Sequence, residues 1–172
     1  RPADLMAAWH YLDHAATTPA RPEAVTAMLP LLTEGYGNPS GAHALARQAR
    51  AALDAAREQL VAVAGGAPGD VVFTGGGTEA DNLAVRGVLG ARGGVAVCSA
   101  IEHHAVLEPV LASGGRVVPV DRRGVIDLDA LASVLDPSVT LVSVMLVNNE
   151  VGTIQPLAAV AEVVRAHAPD AV

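Results

Sequence analysis

Apolar positions along the chain follow two rhythms. Over 43–64, Leu45, Leu53, Leu60 and Val63 recur on one side of an Ala-, Arg- and Gln-rich run, which predicts a long amphipathic helix closed by Gly65-Gly66. A shorter helix is expected over 21–33, with Pro22 near its start. From residue 70 onward, short apolar runs at 70–74, 94–99, 116–120 and 140–147 read as strands. They alternate with helix-like runs at 78–89, 103–112, 128–135 and 156–167. Short apolar strands separated by helices predict βαβ units, and so an α/β fold with a mostly parallel sheet flanked by helices. Residues 1–20 are expected to be an N-terminal extended segment that breaks at Pro19. A turn-rich stretch runs over 34–41. No repeat, linker or low-complexity tract interrupts the rest, so 21–172 reads as one continuous domain.

Composition narrows the chemistry. The chain has 172 residues, of which 51% are hydrophobic and very few aromatic, as expected of an α/β protein with a real core. Its net charge of -7 argues against nucleic acid, which requires a basic face. Apolar runs are all interrupted well short of a membrane span, so no membrane partner is expected. The lone Cys98 excludes an internal disulfide and fits a reducing cytoplasm. All 11 Lys+Arg residues are arginines. With no lysine, the chain has no side-chain amine to hold an aldehyde cofactor as a Schiff base.

The densest chemistry lies at Phe73-Thr74-Gly75-Gly76-Gly77-Thr78-Glu79-Ala80, where an expected strand runs through three glycines into a helix. Glycines allow close backbone approach and positive φ, and a helix start presents unpaired N–H groups to an anion. Thr78 adds a hydroxyl donor, or serves as a plain N-cap. A Walker loop is impossible without lysine. A dinucleotide reading through Gly75, Gly77 and Ala80, with Glu102 as the ribose acid, stays open beside a single-phosphate reading.

Two further groups fall where α/β proteins bind ligands, after the C-terminal ends of strands. His103 follows the second expected strand and suits ring stacking and proton transfer, or a helix cap. Asn149, in Val147-Asn148-Asn149-Glu150-Val151-Gly152, follows the fourth and suits donation to a ring oxygen, or turn chemistry ahead of Gly152. Zinc is disfavoured, since His103 and His104 are adjacent and Cys98 has no paired cysteine.

Six segments in order closely resemble the cysteine desulfurases, pyridoxal-phosphate enzymes of the class V aminotransferase group. They are Tyr-Leu-Asp-His-Ala-Ala-Thr-Thr-Pro at 11–19, Gly-Asn-Pro-Ser at 37–40 and Phe-Thr-Gly-Gly-Gly-Thr-Glu-Ala-Asp-Asn at 73–82. Glu-His-His-Ala-Val-Leu at 102–107, Gly-Val-Ile-Asp at 124–127 and Val-Asn-Asn-Glu-Val-Gly at 147–152 complete the set. The resemblance implies the first part of the large domain of a fold-type-I enzyme binding pyridoxal 5'-phosphate, incomplete over 21–172. Gly77 and Thr78 match the family's phosphate cradle, His103 its ring-stacking, proton-transferring histidine, and Asn149 the asparagine facing the ring's phenolic oxygen. His14, Ala16 and Asn38 fall in segments lining the substrate mouth.

The implied reaction takes sulfur from L-cysteine, leaving alanine and a persulfide for iron–sulfur clusters or other acceptors. The implied partners are a sulfur-acceptor or scaffold protein and a second copy in a homodimer. Selenocysteine lyases share the cradle and the histidine. The family's ring-nitrogen aspartate, glutamine, Schiff-base lysine and persulfide cysteine lie further on and have no counterpart here. Asp170 falls before the strand that should carry that aspartate, and Cys98 lies inside a strand. The expectation is therefore the front portion of a desulfurase, inactive alone.

Overall fold

The computed structural model describes residues 10–172, which group into two compact units, one up to Phe73 and one from Thr74 to Val172. In the first unit a turn at 14–16 interrupts the expected extended lead, its N–H groups at Ala16 and Thr17 bonding to the Asp13 carbonyl. Helix α1 spans Pro22–Thr33 and begins on proline, which gives up no helical hydrogen bond at that position. Helix α2 spans Ala44–Ala64 and is capped by the His43 ring, whose Nδ1 accepts the Ala46 N–H at 3.2 Å. Gly65 closes α2 with φ at 82°, a left-handed conformation that favours glycine.

The strand expected at 70–74 does not form. A 3-10 turn occupies Pro68–Asp70, and no ladder pairs residues 71–74 among the described residues. An apolar run becomes a strand only where a neighbour takes its backbone groups. Here the Val71 carbonyl goes to the Arg57 side chain instead, and Val72 and Phe73 are exposed.

The second unit is a layered α/β structure. Its elements are α3 (Gly77–Arg92), β1 (Val95–Ser99), α4 (His104–Ala112), β2 (Arg116–Val118), α5 (Leu128–Val134), β3 (Val139–Ser143) and α6 (Leu157–His167). The three strands form one parallel sheet in the order β2-β1-β3. The parallel sheet with flanking helices is as the sequence predicts.

Alternation along β1 divides the core. Ala96 and Cys98 join Val85 of α3 with Val106 and Val110 of α4 on one face. Val97 joins Val118, Leu131 of α5 and Val160 of α6 on the other. A register shift beside Val95 lets Val139 face the second layer although Leu141, two residues on, faces the first. Gly115 is required for close packing, since a Cβ there would lie 2.6 Å from the Ala96 carbonyl oxygen and from Val110.

Strands β2 and β3 end earlier than their apolar runs. Pro119 has no N–H to continue a ladder. The chain beyond each strand folds back instead, through antiparallel bridges Val120–Ile126 and Val147–Ile154. On the outer edge of β3, Val172 donates to Thr140 O at 3.1 Å and accepts from Val142 N–H at 2.8 Å, two bonds in the parallel pattern.

Candidate functional site

Helix α4, which follows β1, covers one face of the sheet, and α6, which follows β3, covers the other. Connections leaving two adjacent parallel strands toward opposite faces open a crevice beyond their C-terminal ends, the usual ligand position in an open α/β sheet. His103 lies just beyond β1 and Asn149 beyond β3, and both line one cleft of about 320 Å³ with Ile101, Glu102 and Asn148.

His103 is the N-cap of α4. Its Nδ1 accepts the Ala105 N–H at 3.1 Å, so a neutral ring carries its proton on Nε2, and Nε2 is the atom left facing outward chemistry. The cap therefore leaves Nε2 without a hydrogen bond among the described residues. His104, beside it, lines the same cleft, and its Nδ1 lies 3.9 Å from Glu108.

The two asparagines divide two tasks. Asn148 is buried and builds the turn: its Oδ1 accepts the N–H groups of Glu150 and Val151 at 3.0 and 2.9 Å, while its Nδ2 donates to Ile101 O at 3.0 Å. The turn chemistry weighed for Asn149 thus belongs to its neighbour. Asn149 is exposed, and its amide makes no hydrogen bond among the described residues.

Gly77 and Thr78 open α3 and do not line that cleft. None of Gly75, Gly76 and Gly77 has a left-handed φ, which corrects the expectation of positive φ at this turn. What these glycines provide is room, since a Cβ on Gly76 or Gly77 would meet nothing within 4 Å. The N–H groups of Gly77, Thr78 and Glu79 have no acceptor among the described residues, and no side chain caps the helix. The Gly75 N–H already holds a carboxylate oxygen, Glu79 Oε2, at 2.7 Å. Free donors, open space and the positive end of a 16-residue helix suit an anionic oxygen, an attraction worth about 0.3–1 kcal/mol per charge.

This helix start is joined to the cleft. Asn82 Nδ2 donates to Thr78 O at 3.0 Å and to Ala105 O at 3.3 Å, tying the first turn of α3 to that of α4. His14, Ala16 and Asn38 belong to the first unit. His14 makes an edge contact with Tyr11 at 5.0 Å, Ala16 lies in the 14–16 turn, and Asn38 Oδ1 accepts the Ser40 N–H. A larger cleft in that unit, about 490 Å³, is lined by Arg50, Asp54, Arg57 and Glu58 and holds none of the candidate residues. Its arginines pair with Asp54.

Glu102 is buried, and its carboxylate is consumed internally by Ser99, Ser143 and the Met145 N–H. The dinucleotide reading thereby loses its ribose acid. Cys98 is buried, and desolvation, with the Glu102 carboxylate adding to it, pushes its thiol up to about 12. It is an inert core side chain.

Sequence reasoning did not single out Asn82, Asn148 or Gln155. Gln155 is 3% exposed, accepts the Ile126 N–H at 2.9 Å and donates to Gly124 O at 2.6 Å, joining the loops that follow β2 and β3. Its only sequence signal is a polar residue between apolar Ile154 and Pro156.

Comparison with known proteins places the chain by family and fold. Residues 10–172 match the family model for aminotransferase class V. The chain is 44% identical over 155 residues to "Cysteine desulfurase IscS" of Dictyoglomus turgidum, covering 86% of this chain and 39% of that one. It is 41% identical to "Cysteine desulfurase" of Rattus norvegicus over 162 residues, 89% of this chain and 36% of the relative. Among solved structures, a "NifS-like protein" superposes with a TM-score of 0.86 at 35% identity over 94% of this chain and 47% of that one. "SspA in complex with cysteine" gives 0.81 at 32% identity, over 91% and 47%. The chain thus spans about two fifths of the length of these curated relatives. With a family model matched from residue 10 to residue 172, the chain belongs to the class V aminotransferase family.

Proposed function

We propose that this chain supplies the cofactor-holding part of a pyridoxal-phosphate-dependent cysteine desulfurase acting on L-cysteine. The observation that carries the reading is the meeting of His103 and Asn149 in one cleft at the β1/β3 crevice, braced through Asn82 to the open start of α3. Support for the substrate comes from the desulfurase relatives and from a structural neighbour whose complex contains cysteine. We assign a sulfur-acceptor or scaffold protein as partner, a homodimer as the working assembly and the cytoplasm as location. The lone buried thiol fits a reducing compartment, and no helix among the described residues is long and apolar enough to cross a membrane.

Bound pyridoxal phosphate supplies an electron sink for negative charge developing at a substrate carbon. This chain's residues provide the setting. The free N–H groups at the start of α3, with the Thr78 hydroxyl, hold the phosphate. Asn149, exposed in the cleft, would offer its amide to a ring oxygen. His103, fixed through Nδ1, would present its ring to the cofactor and leave Nε2 able to hold or move a proton. With no lysine, the chain holds the cofactor noncovalently and alone releases neither alanine nor sulfide.

Titration of the purified chain with pyridoxal phosphate tests this reading. Saturable binding, weakened about tenfold by Thr78→Val through loss of one charge-assisted hydrogen bond, is expected. Turnover of L-cysteine by the chain alone, a borohydride-stable adduct on an internal side chain, or indifference to Thr78→Val would overturn it.

A further inference from the structure

Strands β1 and β3 are held together by their ladder only as far as the Cys98–Ser143 pair. Beyond it the two chains part toward opposite faces of the sheet, and no backbone rung joins the segments that carry His103 and Asn149. Some other interaction must set those groups relative to each other. Glu102 lies in that gap. Its Oε1 accepts the Met145 N–H at 2.6 Å and the Ser99 hydroxyl at 2.9 Å, and its Oε2 faces the Ser143 hydroxyl at 3.4 Å.

Glu102 is 8% exposed and forms no ion pair with a cation among the described residues. A carboxylate is costly to bury unless hydrogen bonds replace its water, and bonds to a charged acceptor are roughly twice as strong as neutral ones. The donors here all come from the ends of β1 and β3. Glu102 immediately precedes His103, and Met145 lies on the segment that leads to Asn149. Asn148, donating to Ile101 O, adds a second brace from the far side of the same gap.

We propose that Glu102 is the positioning residue of the site: a buried carboxylate that replaces the missing rung and fixes the Asn149 loop against the His103 turn before any ligand arrives. The proposal rests on the functional reading above for what the two groups face. The bracing itself is independent of that reading. Preorganisation of this kind matters because an ångström of misplacement at a ring-facing group costs about a hundredfold in a reaction that depends on orientation.

Amide hydrogen exchange on the ligand-free chain, paired with pyridoxal phosphate titration, tests it. In Glu102→Ala, exchange at 101–104 and 145–151 is expected to accelerate about tenfold, matching loss of one net hydrogen bond. Exchange at Val97 and Val117 inside the sheet should stay as in the parent. Pyridoxal phosphate should bind about tenfold more weakly, the same free energy read at the site. Glu102→Gln keeps an acceptor for Met145 and Ser99 and can donate to Ser143, so it should restore both readouts to within about twofold. Should Glu102→Ala not fold, Glu102→Asp withdraws the carboxylate by one methylene and carries the same expectations.

Unchanged exchange at 145–151, a uniform acceleration across the whole unit, or Glu102→Gln behaving like Glu102→Ala would each overturn the proposal. So would loosened loops with undiminished pyridoxal phosphate affinity. If the parent chain binds no pyridoxal phosphate, the functional reading fails, while the exchange pattern still decides the bracing.

Discussion

The Asn82 amide donates to Ala105 O at 3.3 Å while also donating to Thr78 O within its own helix at 3.0 Å. One side chain thereby links the first turns of α3 and α4, the helices that present Thr78 and His103. The link spans 23 residues of sequence and joins helix starts rather than helix middles, so it governs the two ends that carry Thr78 and His103.

Replacing Asn82 by alanine should cost about 1 kcal/mol of stability, the net value of a partly exposed hydrogen bond. Replacing it by aspartate should cost more, because a carboxylate would face two carbonyl oxygens. Urea denaturation of both variants checks the order, and equal costs would show that the amide is idle.

Gln155 is a stronger case, because it is nearly fully buried and both ends of its amide are used. Gln155→Ala leaves the Ile126 N–H and the Gly124 carbonyl without partners, an expected loss of about 2–4 kcal/mol. Gln155→Glu keeps the acceptor but sets an oxygen against Gly124 O, and should also destabilise at neutral pH. Denaturant midpoints measure both, and a Gln155→Glu variant as stable as the parent would contradict the donor assignment.

The Cys98 thiol gives a pH dependence with a definite sign. Its folded value is raised to about 12, against an ordinary 9.0, so the folded state keeps the proton longer than the unfolded state. The stability this provides is complete below pH 9 and is lost as pH rises from 9 to 12. Cys98→Ala should flatten that part of the stability–pH curve. At pH 8 the native thiol should react with a disulfide reagent only as fast as the unit opens, so labelling that outruns unfolding would sink the assignment.

What was legible in the sequence follows from the range of the interactions involved. Helices α2, α3 and α6 announce themselves through local periodicity and local caps, and their observed limits fall within a few residues of those expected. The parallel sheet follows from the alternation of short apolar runs with helices. Residues 70–74 mislead because their pattern is that of a strand, yet a strand is a property of two chains and no described neighbour takes up this one. The candidate site divides in the same way. His103 and Asn149 are readable as polar groups just beyond apolar runs. The tasks of Glu102, Asn148 and Gln155 are not, because the partners by which they join separate segments lie 29–47 residues away and only the folded sheet selects them. Glu102 illustrates the limit: spacing makes it a plausible ribose acid, and burial gives its oxygens to Ser99 and Met145 instead.

The pairing of Val172 with Thr140 and Val142 has a practical consequence. A backbone edge that has accepted one residue is a template for more, and β3 presents that template beside the apolar side chains Val142, Val144 and Val164. For the 172-residue chain in solution, protein concentration then becomes a structural variable. An exposed strand edge offers its backbone to other extended segments, so association of the chain is expected to rise with concentration.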